Sequence, residues 1–235
     1  MKVLKTQLEI INARRELSNM GASCIDSWLR AKLRRLGLTH DVKIGDPVKS
    51  WDVLATINFI DEHLEKNDPI LDIGCYASEV IAALHKLGYS NLTGVDLNPE
   101  VRKMPFQNSI RYETANFMQT KLLDASFNTI TSISVIEHGF DGTALLTEIS
   151  RLLKPGGFFI ASFDYWPEKI DTSNIDFFGM SWMIFSKNDV IDFIAHAKCF
   201  GLTPAEALNF DGQDTPIECA GKQYTFGWLV LKKNT

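Results

Sequence analysis

The sequence predicts a doubly wound α/β domain, with a mostly parallel sheet and a helical N-terminal cover. Three observations carry that expectation. Residues up to about 64 repeat their apolar positions at helical spacing, short apolar runs alternate with helical patterns from Asp68 onward, and two strand-like runs with no helix between them close the chain. Alternation of this kind implies parallel strands, because each crossover needs a helix and must be right-handed.

In the N-terminal part, Leu4, Leu8 and Ile11 recur at helical spacing, as do Ile25, Leu29, Leu33 and Leu36. Gly21 separates the two helices and Gly37 ends the second. Residues 38–50 read as a linker with Gly45 and Pro47 as breakers, and a third helix starts near Trp51 with Ser50 as its N-cap. The expected organisation is therefore a cover and linker over residues 1–50, and a main domain over 51–235.

Within the main domain the strands are placed at Pro69 to Gly74, Leu92 to Leu97, Ser109 to Thr114, Phe127 to Ile136 and Phe158 to Phe163. Helices are expected over Ser78 to Leu87, briefly after the cap Asn98-Pro99, and around Leu145 to Leu153, where Pro155-Gly156-Gly157 stops the chain. Ser186 with Asp189 three residues on is a capping box for a further helix. Leu202 to Phe210 and Tyr224 to Leu231 are expected to pair as an antiparallel terminal hairpin.

The 235 residues suit one large α/β domain, and 45% hydrophobic content is enough for a core. A net charge of −5 is a poor footing for nucleic acid or an anionic membrane surface. Charge is uneven: residues 1–51 carry ten Lys/Arg against five Asp/Glu, the remainder fourteen against twenty-four. A basic cover on an acidic body suits a substrate lid, a homodimer contact or complementarity within the chain. Lys2, Lys5 and Glu9 interrupt the apolar N-terminus, so it does not read as a signal peptide, and no run reaches the length of a membrane span. Cys24, Cys75, Cys199 and Cys219 stand far apart and read as buried or free thiols of a reducing, cytoplasmic setting. No metal-ligand spacing is present.

The chemistry centres on Leu71-Asp72-Ile73-Gly74-Cys75, followed by Asp96 at the end of the next strand. Ligands of open α/β sheets bind beyond the carboxyl ends of the strands, where the strand order reverses. A glycine after the first strand admits a ligand close to the backbone, and an acid about 20 residues on reaches a ribose diol. Asp96 lies 22 residues after Gly74.

Four blocks, "ILDIGC", "TGVDLNPE", "FNTITSISVIEHG" and "LLKPGGFFIAS", cover roughly residues 68–165 and resemble the ordered blocks of class I S-adenosylmethionine (SAM) dependent methyltransferases, especially the type 11 group. The resemblance implies a Rossmann-like sheet of seven strands, the last antiparallel, with N-terminal helices over the site. It implies SAM as cofactor, with Asp72 and Gly74 near its methionine part, Asp96 on the ribose and Leu97 beside the adenine. Asn116 stands where the family usually has an acid for the adenine amino group, Phe117 offers its backbone N–H, and Ser134 faces the cofactor. The family turn D-x-G-x-G-x-G is altered, because Tyr76 and Ser78 replace two glycines. Tyr76 must then turn outward or cover the cofactor. If it fills the pocket, the chain is a SAM-binding scaffold or regulatory subunit without methyl transfer. A nicotinamide-dependent oxidoreductase would need a full G-x-G-x-x-G, which is missing.

Glu137 and His138 follow the fourth strand, where the resemblance implies either a pair that positions or deprotonates an acceptor or one that holds the loop and its neighbouring helix. The insertion over residues 164–185 carries Tyr165, Trp166, Phe177, Phe178, Trp182 and Phe185. These aromatics either sort the acceptor or anchor the insertion. Asp164, Asp171 and Asp176 suit a polar or amine acceptor. The expected partner is a small-molecule acceptor with an oxygen, nitrogen or carbon nucleophile, enclosed by residues 1–50 and 164–185.

Overall fold

The computed structural model describes residues 1–25, 28–36, 38, 42–177 and 179–235. The expected stop at Gly37 and the insertion residue Phe178 lie outside the described residues. In chain order the elements are β1 (Lys2–Val3), α1 (Gln7–Asn19), α2 (Trp28–Arg35), α3 (Ser50–His63), β2 (Ile70–Ile73), α4 (Val80–Lys86), β3 (Leu92–Asp96), β4 (Ile110–Thr114), β5 (Phe127–Ile133), α5 (Gly142–Leu152), β6 (Leu153–Tyr165), β7 (Asp176–Phe177), β8 (Met180–Ser181), α6 (Lys187–Cys199), β9 (Leu202–Pro204), β10 (Ile217–Cys219) and β11 (Lys222–Lys233). Short 3₁₀ turns at Pro47–Lys49 and Pro99–Lys103 complete the set.

The main sheet runs β1-β11-β6-β5-β2-β3-β4, with β9 and β10 also paired to β11. From β6 to β4 the strands are parallel, and β11 is antiparallel to β6. The order reverses at β2, whose neighbours are β3 and β5, and this opens a crevice at their carboxyl ends. The sheet has nine strands against the expected seven: six strands run from β11 to β4, and β1, β9 and β10 are three short segments laid along the long β11.

Alternation along the strands divides the core between two faces. Leu71, Phe159, Ala161, Leu229 and Leu231 pack with Leu145, Leu146 and Ile149 of α5 and Phe193 and Ile194 of α6. Their neighbours Ile70, Ile160, Trp228 and Val230 pack on the other face with Leu17 of α1, Ile57 and Ile60 of α3, and Ile81 and Leu84 of α4. The Trp228 indole N–H donates to Thr56 Oγ1 at 3.0 Å, which satisfies both polar groups in the dry interior.

Several local expectations are corrected. α1 buries Ile10, Ala13 and Leu17, whereas Leu8 and Ile11 are exposed, because Thr6 and Glu9 form a capping box that starts the helix at Gln7. Leu4 precedes that helix and continues the β1 pairing through Leu4 N–H to Phe226 O at 3.0 Å. Ser50 is the first helical residue of α3 and not its cap; its hydroxyl bonds backward to Pro47 O and accepts from Arg14 Nε. Pro155-Gly156-Gly157 lies inside β6, with a register shift opposite β5 between Phe127 and Thr129. Leu202–Pro204 does pair antiparallel with β11, but the terminal hairpin is made by β10, and residues 205–210 are not strand. The capping box at Ser186 and Asp189 is present as expected.

Candidate active site

The turn after β2 is set by sterics. Gly74 has φ +69°, and a Cβ there would lie 2.4 Å from Val135 Cγ2, so any side chain meets both a strained backbone and an occupied space. Ala77 holds the second left-handed position, with φ +62°, while Tyr76 has negative φ. The substituted turn is therefore intact: the strained residue is Ala77, and Tyr76 needs no glycine. Its backbone N–H donates to Asp96 Oδ2 at 2.8 Å, and Asn98 N–H donates to Asp96 Oδ1 at 2.7 Å. Two amide donors fix the Asp96 carboxylate at the end of β3, and each oxygen keeps a lone pair for a diol.

Asp72 is buried in β2 and accepts from Thr131 Oγ1 at 2.7 Å. Burial raises its pKa to about 7, partly offset by the Thr131 and Ser78 hydroxyls. Ser134, with φ +54°, ends the β5 run with a buried hydroxyl that has no hydrogen-bond partner. A cavity of about 220 Å³ opens between these elements, lined by Gly74, Tyr76, Ser78, Glu79, Ser134 and the segment around Gly45, Lys49 and Val53. Leu97, 53% exposed, and Asn116 lie at the surface outside that lining, and the Asn116 carbonyl accepts from Met118 N–H at 2.9 Å. Phe117 is buried in the core.

The wall opposite the sheet turn comes from the linker, where sequence reasoning marked Gly45 only as a breaker, and from Glu79, which it passed over. Gly45 N–H donates to Ala77 O at 2.9 Å, which docks the linker on the strained turn. Glu79, buried, takes two hydrogen bonds from Arg14 at 2.8 and 2.7 Å and a third from Cys24 N–H at 2.7 Å. One carboxylate thus ties the cover to the cavity wall. Lys49 and Asp52 were equally unmarked, since a lysine in a linker and an aspartate in a helical first turn look like ordinary solvated groups.

Beside Lys49 the structure gathers four acids and several aromatics. Asp164, buried at the end of β6, accepts from Trp182 Nε1 at 2.7 Å and lies 3.6 Å from Lys49 Nζ. Lys49 Nζ sits 3.9 Å from the centre of the Phe226 ring. Glu137 is 1% exposed, its backbone carbonyl accepts from Met183 N–H at 2.9 Å, and its Oε2 has no hydrogen-bond partner. Burial, then Asp164, pushes the Glu137 pKa well up. Asp52 accepts from Ser162 Oγ at 2.7 Å, and burial raises its pKa to about 6. Burial alone would pull Lys49 down, but Asp164, Glu137, Asp52 and Asp46 together raise it. His138 is lowered, mainly by burial, and pairs through its backbone with Trp182.

Of the insertion residues, Asp164 and Trp182 join this group. The Tyr165 hydroxyl is spent on Phe210 O at 2.7 Å, with the ring in the core. Trp166 is half-buried and bonds Phe185 O through its backbone at 3.0 Å. Asp171 and Asp176 are exposed.

The sheet order and the crevice at β2 are those of the class I SAM-dependent methyltransferase fold. Residues 71–161 match the family model of a methyltransferase domain. The ubiquinone biosynthesis O-methyltransferase of Xanthomonas euvesicatoria pv. vesicatoria is 30% identical over 95 residues, which is 37% of this chain and 39% of that relative, so the likeness spans well under half of either protein. Among solved structures, the 1,6-didemethyltoxoflavin-N1-methyltransferase of Burkholderia thailandensis, with bound 1,6-didemethyltoxoflavin and S-adenosylhomocysteine, aligns with TM-score 0.56 at 17% identity, covering 78% of this chain and 79% of that one. The geranyl diphosphate C-methyltransferase of Streptomyces coelicolor A3(2), in complex with Mg²⁺, geranyl diphosphate and S-adenosylhomocysteine, aligns with TM-score 0.57 at 17% identity, covering 83% and 93%.

Tyr76→Gly is expected to weaken SAM binding several-fold in calorimetry, because it removes a half-buried wall of the cavity and adds backbone freedom costing about 0.5–1 kcal/mol. Equal or tighter binding would mean that the ring contributes nothing to the cofactor site.

Proposed function

We propose that this chain is a SAM-dependent methyltransferase acting on a small-molecule acceptor. The observation that carries this reading is the cavity between the Gly74 turn, Ser134 and the Gly45–Val53 segment, at the switch point of the sheet. The residues present fit the cofactor: a turn that admits only glycine at position 74, an anchored carboxylate with free lone pairs at Asp96, and an unpartnered buried hydroxyl at Ser134. Asp96 would hold the ribose, with Leu97, Asn116 and Phe117 on the adenine side. Asp72, Gly74, Tyr76 and Ser134 would surround the methionine part. Bound SAM supplies an electrophilic methyl on a sulfonium that is its own leaving group.

The protein's task is alignment and exclusion of water. Glu137 and His138 follow β5, Asp164 lies at the end of β6 with the Trp182 indole bonded to it, and Arg14 and Cys24 of the cover bond Glu79. Residues 1–50 and 164–185 form the acceptor enclosure in this reading. The Tyr76 substitution leaves the turn geometry whole, which favours a working enzyme over a scaffold. Among the described residues no helix is long and apolar enough to cross a membrane.

Calorimetry with SAM and S-adenosylhomocysteine, followed by a mass-spectrometric screen of metabolites for gain of one methyl, tests the reading. Binding of both with methyl transfer to a small acceptor is expected. Limited proteolysis across residues 38–50 should slow when both ligands are present. Absence of SAM binding sinks the proposal, and unchanged cleavage sinks the enclosure.

A further inference from the structure

The group around Lys49 is out of charge balance. Three buried carboxylates, Asp52, Glu137 and Asp164, share one ammonium, with Asp46 nearby at the turn. Asp52 is occupied by Ser162 and by Val53 N–H at 3.1 Å. Asp164 has one oxygen on Trp182 and the other, without a hydrogen bond, 3.6 Å from Lys49. Glu137 Oε2 is buried without a partner, and its carboxylate feels Asp164, Lys49 and Asp52. A buried carboxylate oxygen without a partner is costly, and Glu137 Oε2, beside an Asp164 oxygen held only by a long ion pair, marks an unmet demand for donors.

The surroundings suit an organic cation. Lys49 lies against the Phe226 ring, Trp182 contacts Tyr224 with ring centres 5.7 Å apart, and the Tyr224 hydroxyl faces Asp164. Aromatic faces with carboxylates are the recognition chemistry of an ammonium. Among the described residues no His/Cys/Asp/Glu grouping could hold a metal ion. Lys49 both lines the cavity and pairs with Asp164, so one side chain links the cavity wall to the cluster.

Resting on the methyltransferase reading, we infer that this cluster receives the amino group of the acceptor and that the reaction is N-methylation of a small primary or secondary amine. The acceptor enters as an ammonium held by Glu137 and Asp164. One N–H proton passes to the Glu137 carboxylate and frees the nitrogen lone pair. The new N–C bond forms as the methyl–sulfur bond breaks, with the electron pair left on sulfur. The product is again an ammonium, S-adenosylhomocysteine is released, and Glu137 returns its proton to solvent. Asp52, Asp46, Lys49, His138 and Tyr224 are the other titratable groups facing this exchange.

The test uses the full chain loaded with S-adenosylhomocysteine, titrated by calorimetry with benzylamine and, separately, benzyl alcohol. The amine is expected to bind at least about tenfold more tightly, the worth of one charge-assisted hydrogen bond. Glu137→Gln should remove that preference, and Lys49→Met, which takes a positive charge out of the cluster, should increase it. Glu137→Gln, at a residue outside the cavity lining, should keep the wild-type affinity for S-adenosylhomocysteine. Equal binding of amine and alcohol, or a Lys49→Met variant that weakens the amine, overturns the inference while leaving the methyltransferase reading in place. With methyl-labelled SAM, label on nitrogen of an amine supports it, and label confined to phenols or alcohols in a matched panel overturns it. Failure to bind S-adenosylhomocysteine at all would count against the underlying reading instead.

Discussion

Asp96→Ala is expected to abolish useful cofactor binding. In the proposed reading the side chain serves twice: it would present a carboxylate to the ribose diol, and it holds Tyr76 N–H at 2.8 Å and Asn98 N–H at 2.7 Å. Loss of the ligand contact alone removes a charge-assisted bond worth about 1.5–3 kcal/mol, or roughly ten- to 150-fold in affinity. Release of the turn adds to that, since Ala77 is left to hold a left-handed backbone with one fewer restraint beside it. Calorimetry with S-adenosylhomocysteine measures the sum. Asp96→Asn should retain more of the turn than alanine does. Unchanged affinity in the alanine variant would remove Asp96 from the cofactor site.

Arg14→Ala should have the largest effect on stability. It leaves the Glu79 carboxylate, whose side chain is 1% exposed, with only the Cys24 amide as partner. Breaking a buried pair from one side costs about 3–5 kcal/mol. Arg14 itself is 20% exposed, which places the expected loss near the low end, about 3 kcal/mol. For a chain of this length that is a fall in Tm of roughly 6–12 °C. The double variant Arg14→Ala with Glu79→Gln should recover part of the loss, because the orphaned charge is gone. Melting within a degree of the wild type would mean that the junction does not hold the cover. SAM affinity should fall too, since Glu79 forms part of the cavity wall.

These two predictions differ in how visible their residues are in the sequence. Asp96 belongs to a local pattern, an acid at a strand end at a set distance from a glycine, and strand–turn–helix patterns of this length are set by neighbours in the chain. The partnership of Arg14 with Glu79 spans 65 residues and has no periodic signature. The same is true of Lys49 with Asp164, which only the meeting of the Pro47–Lys49 turn with the end of β6 creates. Leu8 and Ile11 mimicked a buried helical face, yet the Thr6–Glu9 capping box, present in the sequence, fixes the helix start and turns those residues to solvent. The altered glycine turn was legible as a departure but not in its outcome. Which residue takes the left-handed backbone depends on the packing of Val135 over Gly74 and of Gly45 on Ala77. Strand segments as short as β1 and β10 carry too few residues to show alternation at all.

The long β11 has a further consequence for solubility under stress. On the side away from β6, it would offer twelve residues of backbone donors and acceptors to any passing chain. β1 covers Gly227 and Trp228, Leu4 N–H takes Phe226 O, Ala205 N–H takes Val230 O, and β9 covers Leu231 to Lys233. None of these covering segments exceeds three residues, so none is itself a template long enough to recruit another strand. At the opposite margin β4 is five residues long and carries the Arg111–Glu113 ion pair. Growth of the sheet by edge-to-edge addition is thus blocked by piecewise covering on one side, and discouraged by charge and brevity on the other.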